Sequence, residues 1–233
     1  MKNYLLLLML LPVFVIAQEK ENAIVNIGSG DQFSEKVAEN VQYVLPEFKG
    51  GVVYFRNGQR SSSQLNYNVY LGEMHFKDKD EVLAFMDLSD IILVVIDSRR
   101  FLPFNDKEFC EEVLANDKAR LCLRRYGNIS EYSKMGAYGM TSSTSSIKSY
   151  SSMYGSNNNR TDLKFLGEVK LTVNNMYYFM SDKGKFTQIR NVKNVTKQFP
   201  GNNAKIDAFV KENKTDFKKT EDLKALLEYC FTL

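Results

Sequence analysis

The residues able to do chemistry are few. One histidine, His75, and three cysteines, Cys110, Cys122 and Cys230, are all that 233 residues offer toward an imidazole base or a soft metal-ligand set. Ser145 and Lys148 have the Ser-x-x-Lys spacing of serine acyl-enzymes, where a helix N-terminus presents the serine to the lysine. Here the pair sits in a serine run that produces such spacing by composition. The Ser-Asp-Asn and Lys-Thr-Gly motifs that accompany it in those enzymes are missing. Gly28 and Gly30 lack the following Lys-Ser/Thr of a phosphate loop. Carboxylate chemistry needs no histidine, and close acidic pairs such as Glu111-Glu112 and Asp87 with Asp90 exist. Adjacent strand residues point to opposite faces, so Glu111 and Glu112 cannot share a site if they lie on a strand. The sequence thus predicts no catalytic residue, no metal site and no cofactor.

Two features remain as candidate sites. Residues 133–160 are rich in Ser, Gly and Asn, with Tyr138, Tyr150 and Tyr154 set among them. Aromatic contacts on an adaptable polar frame suit a recognition loop; the plain alternative is a surface loop. The second feature is the pair Cys110 and Cys122, on a predicted hairpin of Phe109–Leu114 and Ala119–Arg124 around Asn116-Asp117. A three-residue loop, 115–117, sets Cys110 opposite Cys122, close enough for a disulfide in some geometries; a two-residue loop sets it opposite Leu123. A bridge and two buried free thiols both fit. Cys230 belongs to an apolar stripe with Leu226 and Leu227 and reads as a core thiol.

The elements that must position these residues follow from patterning. Val52–Arg56 is strand-forming, and Asn57-Gly58 is a strong hairpin signal because both residues accept the positive φ of a type I′ turn. Leu65 and Tyr67 alternate on the next strand, and Tyr70-Leu71-Gly72 turns into Glu73–Lys77. There Met74 and Phe76 form the apolar face and His75 is expected to point to solvent. Val82–Met86 and Ile91–Ile96 supply two more strands, the second apolar on both faces and so central in the sheet. Phe165–Val173 and Met176–Met180 read as separate strands, with a turn at 182–185 leading to Phe186-Thr187. The last forty residues change to helical period: Val192, Val195 and Phe199; then Ile206, Phe209 and Val210; then Leu223, Leu226, Leu227 and Cys230 behind a predicted Thr220 N-cap, with Phe217 at the junction.

Composition agrees with a globular chain: 44% hydrophobic, 25% charged and 12% aromatic, without tryptophan. The formal charge of +3, from 31 basic and 28 acidic residues, gives no reason to expect nucleic acid. Lys2, the apolar run from Leu5 to Ile16 and Val15-Ile16-Ala17 have the layout of a secretory signal peptide cleaved after Ala17. The run is short of the ~20 residues that span a bilayer and contains Pro12. No cysteine follows it, so lipid attachment is not expected. The expected organisation is a leader at 1–17, a loose segment with a short helix at 18–48, an antiparallel β body at 49–190 and helices at 191–233 packed on that body. The fold class is α+β, a meander, sandwich-like or barrel-like body with a C-terminal helical hairpin.

Two stretches also resemble a group of uncharacterised exported proteins of Bacteroidetes-type bacteria. One is Tyr43-x-x-Pro46-x-Phe48-x-x-Gly51-Val52-Val53-Tyr54-Phe55-Arg56-Asn57-Gly58, with Leu65–Asn68 and Gly72–Met74. The other runs from Phe199-Pro200-Gly201 through Phe209-Val210-Lys211-Glu212-Asn213 to Glu228-Tyr229. The resemblance implies export and carries no activity or site residue; Cys110 and Cys122 depart from the pattern expected of the group. The function expected is a non-enzymatic periplasmic or secreted protein that binds a protein partner. A β module for a small molecule or glycan comes second, and a carboxylate-dependent hydrolase third.

Overall fold

The computed structural model describes residues 23–27, 36–79, 81–117, 119–131, 134–135, 141–142 and 167–233. Its main body is one antiparallel sheet. The strands are β1 (Ala23–Ile27), β2 (Lys49–Phe55), β3 (Arg60–Asn68), β4 (Glu73–Asp78), β5 (Glu81–Ala84), β6 (Ile91–Ile96), β7 (Arg99–Pro103), β8 (Phe109–Ala115), β9 (Ala119–Glu131), β12 (Gly167–Ser181) and β13 (Phe186–Ile189). A separate pair, β10 (Lys134–Met135) and β11 (Thr141–Ser142), lies outside it. Helices α1 (Glu39–Gln42), α2 (Val192–Thr196), α3 (Asn203–Glu212) and α4 (Thr220–Phe231) complete the chain, which is therefore α+β. The sheet order is β1-β12-β9-β8-β7-β6-β2-β3-β4-β5, with β13 also on β12; it is open, ending at β5 and β1. β6 is central, as its apolar residues require.

β9 and β12 pair over 13 positions without a register shift, so their odd-numbered residues share one face from end to end. That single face serves two cores. Ile129, Val169 and Leu171 join Val53, Leu65, Tyr67, Met74, Val94, Ile96, Phe101 and Phe109 in the larger one. Leu121, Leu123, Tyr177 and Phe179 join Ile189, Val195, Ile206 and the α4 stripe of Leu223, Leu226, Leu227 and Cys230 in the other. Phe217 packs against this second core. The opposite face carries a small cluster of Leu102, Cys110 and Cys122 under Phe104, Tyr178, Met180 and Phe186.

Several expectations need correction. The Asn57-Gly58 hairpin exists, but only Gly58 has positive φ (84°). Phe55 accepts from Gly58 N and donates to Gln59 O, a three-residue loop closed by a left-handed glycine in place of a type I′ turn. Thr220 does not cap α4. Lys219 occupies the N-cap position, while the Thr220 hydroxyl lies 2.9 Å from the Tyr177 hydroxyl and ties the helix to β12. β12 is continuous through Asn174 and Asn175, because both pair with β9. His75 is buried rather than exposed. The polar face of β3 and β4, Asn66, Asn68 and His75, is covered by residues 37–48, whose backbone it satisfies. Asn66 accepts from Leu45 N and donates to Leu45 O and Glu47 O. The Tyr43 hydroxyl lies 2.9 Å from His75 Nδ1, and Glu73 Oε2 lies 2.9 Å from His75 Nε2.

Candidate functional site

Between the two cores the shared face of β9 and β12 turns polar, because Arg125, Gly127 and Asn175 interrupt its apolar run. An open cleft of about 1830 Å³ lies there, with Arg99, Glu111, Arg125, Asn175, Tyr177 and Lys218 on its walls. Gly127 explains the shape of one end. A Cβ on it would overlap the Tyr70 ring, and its N–H donates to Val69 O at 2.6 Å, so the β3–β4 turn docks directly on β9. Burial pushes the Tyr70 phenol up to about 12.

At the centre of the cleft Glu111 is clasped by two guanidinium groups. Arg99 Nε donates to Oε1 at 2.6 Å and Arg99 Nη2 to Oε2 at 2.7 Å, a bidentate pair, and Arg125 Nη1 donates to Oε2. Burial raises the pKa of the Glu111 carboxyl, but the Arg99 hydrogen bonds and the charges of Arg125 and Arg99 outweigh it and hold the carboxyl below its ordinary value. An ionised, doubly paired carboxylate is the opposite of what a general acid requires. Glu112 lies on the other face, where Arg100 Nε donates to it at 2.7 Å and Arg120 Nε stands 2.7 Å from its second oxygen as an ion pair outside hydrogen-bond alignment. The two glutamates therefore do not share a site. Asp87 accepts from Ser89 N at 2.8 Å in an exposed turn, a contact that lowers the Asp87 pKa.

Cys110 and Cys122 are unbridged and fully buried. Neither anticipated alignment is present: Glu112 faces Cys122 and Glu111 faces Leu123, with an irregularity at Val113 before Leu114 meets Leu121. The thiols pack diagonally; contact with Cys122, then burial, pushes the Cys110 thiol well up, and its Sγ donates to Leu102 O at 3.7 Å. Cys110 is held as an inert thiol. Tyr138, Tyr150, Tyr154, Ser145 and Lys148 lie outside the described residues. The Arg99–Glu111–Arg125 clasp was not among the sequence candidates. Its signal was present in the complementary runs Arg99-Arg100, Glu111-Glu112, Arg120 and Arg124-Arg125, which become readable once β7, β8 and β9 are known to be neighbours.

The second candidate surface is the end of the sheet. In β5 the residues alternate, so the two-residue turn between Asp78 and Glu81 and the Phe85 N to Met74 O bond fix Glu81, Leu83 and Phe85 toward β4. The backbone groups of Val82 and Ala84 then point outward, beside side chains of Leu83 and Met86 that are 39% and 61% exposed. No family model, curated protein or solved structure matches this chain.

Proposed function

We propose that this is an exported, non-enzymatic protein of the periplasm or exterior, akin to the Bacteroidetes-type exported group. In this reading it binds a protein partner by accepting an extended segment on the outer edge of β5. The observation that carries the reading is that edge: among the described residues no strand lies beyond β5, and it carries outward N–H and C=O groups at Val82 and Ala84 and two exposed apolar side chains. Strand addition uses such groups for affinity and alternate side chains for selectivity. The leader pattern supports export, and no helix among the described residues is long and apolar enough to cross a membrane. A small-molecule or glycan module is less well supported, because the cleft is open and the carboxylate at its floor is already doubly paired. The curvature of the body and the C-terminal helical hairpin belong to the same reading.

A photo-crosslinking residue at Leu83, used in the native envelope, tests the reading. It should capture one partner band that a probe at Ile92, exposed on central β6, does not. Val82→Pro removes an outward donor without touching the β4 ladder, and should abolish the band while changing stability by less than about 1 kcal/mol. Equal capture at Leu83 and Ile92, or a band insensitive to V82P, overturns it.

A further inference from the structure

Sulfur gathers on the face of the sheet opposite the two main cores. Cys110 on β8 and Cys122 on β9 are buried there, and Met180 on β12 packs against them. The Met176 sulfur, also on β12, accepts from Arg124 Nη1 at 3.8 Å. Strand register fixes how the thiols meet. Glu112 faces Cys122 and Glu111 faces Leu123, so Cys110 and Cys122 are diagonal neighbours. Such neighbours stand about 7–8 Å apart at Cα, beyond the roughly 4.4–6.8 Å that a disulfide accepts. The thiols nevertheless touch, and the Cys110 Sγ donates to Leu102 O at 3.7 Å. A metal ion between two sulfurs spans such a diagonal, because two metal–sulfur bonds of about 2.3 Å replace one S–S bond of about 2 Å.

We propose that Cys110 and Cys122, with Met180 as third ligand, form a binding site for a soft monovalent ion, copper(I). The donor set selects the ion. Among the described residues no group of three His, Cys, Asp or Glu side chains comes together, which leaves zinc without a tetrahedral set. Thiolate and thioether sulfur favour copper(I), an ion satisfied by two or three ligands. Binding exchanges protons for metal: each thiol releases its proton to water, two copper–sulfur bonds form, and no electron moves. The product carries one net negative charge, and a counter-charge stands beside it. Continuing the β8–β9 register sets Arg124 opposite Cys110. Arg124 Nη2 donates to Glu108, but Nε is buried without a hydrogen-bond partner among the described residues. A thiolate at Cys110 gives that charged donor an acceptor. Entry requires no opening of the sheet, since the cover is made of the half-buried side chains of Phe104, Tyr178, Met180 and Phe186, which part by rotation.

The site is independent of the β5 edge and of export. Anaerobic titration of the reduced protein with copper(I), in competition with a chromophoric copper(I) chelator, tests it. One equivalent should be held, with thiolate-to-copper charge-transfer absorbance in the ultraviolet. Cys110→Ser combined with Cys122→Ser should surrender the ion to the chelator, and Met180→Leu should weaken binding about tenfold. X-ray absorption of the wild-type complex reads the ligands directly, which keeps the test decisive if the double variant fails to fold. It should show three sulfurs around the copper in wild type and two in Met180→Leu. Surrender of the ion by wild type, its retention by the C110S/C122S protein, or nitrogen or oxygen in the copper shell overturns the site. An unchanged shell in M180L removes Met180 from it.

Discussion

Glu111 and Glu112 stand side by side on β8, each between two arginines, yet the two clasps are not equivalent. The carboxylates are buried to a similar degree, with 11% and 7% of each side chain exposed. Their partners differ. Arg99 and Arg125 keep 25% and 24% exposure in the cleft, whereas Arg100 and Arg120 keep 46% and 35% on the opposite face. Arg99 also lies over the Phe101 ring at 5.7 Å, which fixes it. What an ion pair contributes depends less on how deeply its anion sits than on whether its cations can turn back to water when the anion is lost.

The sharpest break of this comparison is Glu111→Ala, which strands two partly dehydrated guanidinium groups and should cost about 2–3 kcal/mol in urea unfolding. The same comparison has a pH signature. Because the folded Glu111 carboxyl titrates below its unfolded value of about 4.3, its contribution is complete above that value and is lost as pH falls through the folded one. Wild type should therefore lose more stability than Glu111→Gln on acidification below about pH 4.5; parallel curves would show that the clasp has no such role. Gly127→Ala pushes a methyl into the Tyr70 ring at the end of the same cleft and should cost about 2 kcal/mol, with the β3–β4 turn exposed to exchange. Tyr177→Phe removes the hydroxyl that meets Thr220 Oγ1 and donates to Lys218 O, a loss of about 1 kcal/mol that loosens α4 before the sheet. Glu112→Ala should have the smallest effect, about 0.5–1 kcal/mol and reduced by salt. A larger loss for Glu112 than for Glu111 would reverse the lesson.

Most strands could be read from the sequence because their signals are local. Val52–Phe55 with Asn57-Gly58, the doubly apolar Ile91–Ile96, the Phe109–Leu114 hairpin and the helical stripe ending at Cys230 all needed only alternation, a turn signal or a 3.6-residue period. β7 escaped notice because Arg99-Arg100-Phe101-Leu102-Pro103 is short, begins with two charges and ends in proline. Asn174-Asn175 imitated a turn inside a single long strand, since polarity that serves a cleft and polarity that marks a loop look alike in one dimension. His75 was misplaced for a non-local reason: alternation assigned its face correctly, but no local signal shows that residues 37–48 cover that face. The Glu111 clasp required the order of three strands, which no residue spacing contains. The tyrosines of the recognition loop remain an expectation on residues outside those described.

The place of β1 has a consequence for how the molecule assembles. The first strand of the described chain finds its hydrogen-bonding partner in β12, near the other end of the polypeptide. A chain delivered N-terminus first therefore holds its earliest strand idle until residues 167–171 arrive. That ladder joins two distant pieces of the chain, and a growing chain halted before β12 would present a sheet with a raw, sticky flank.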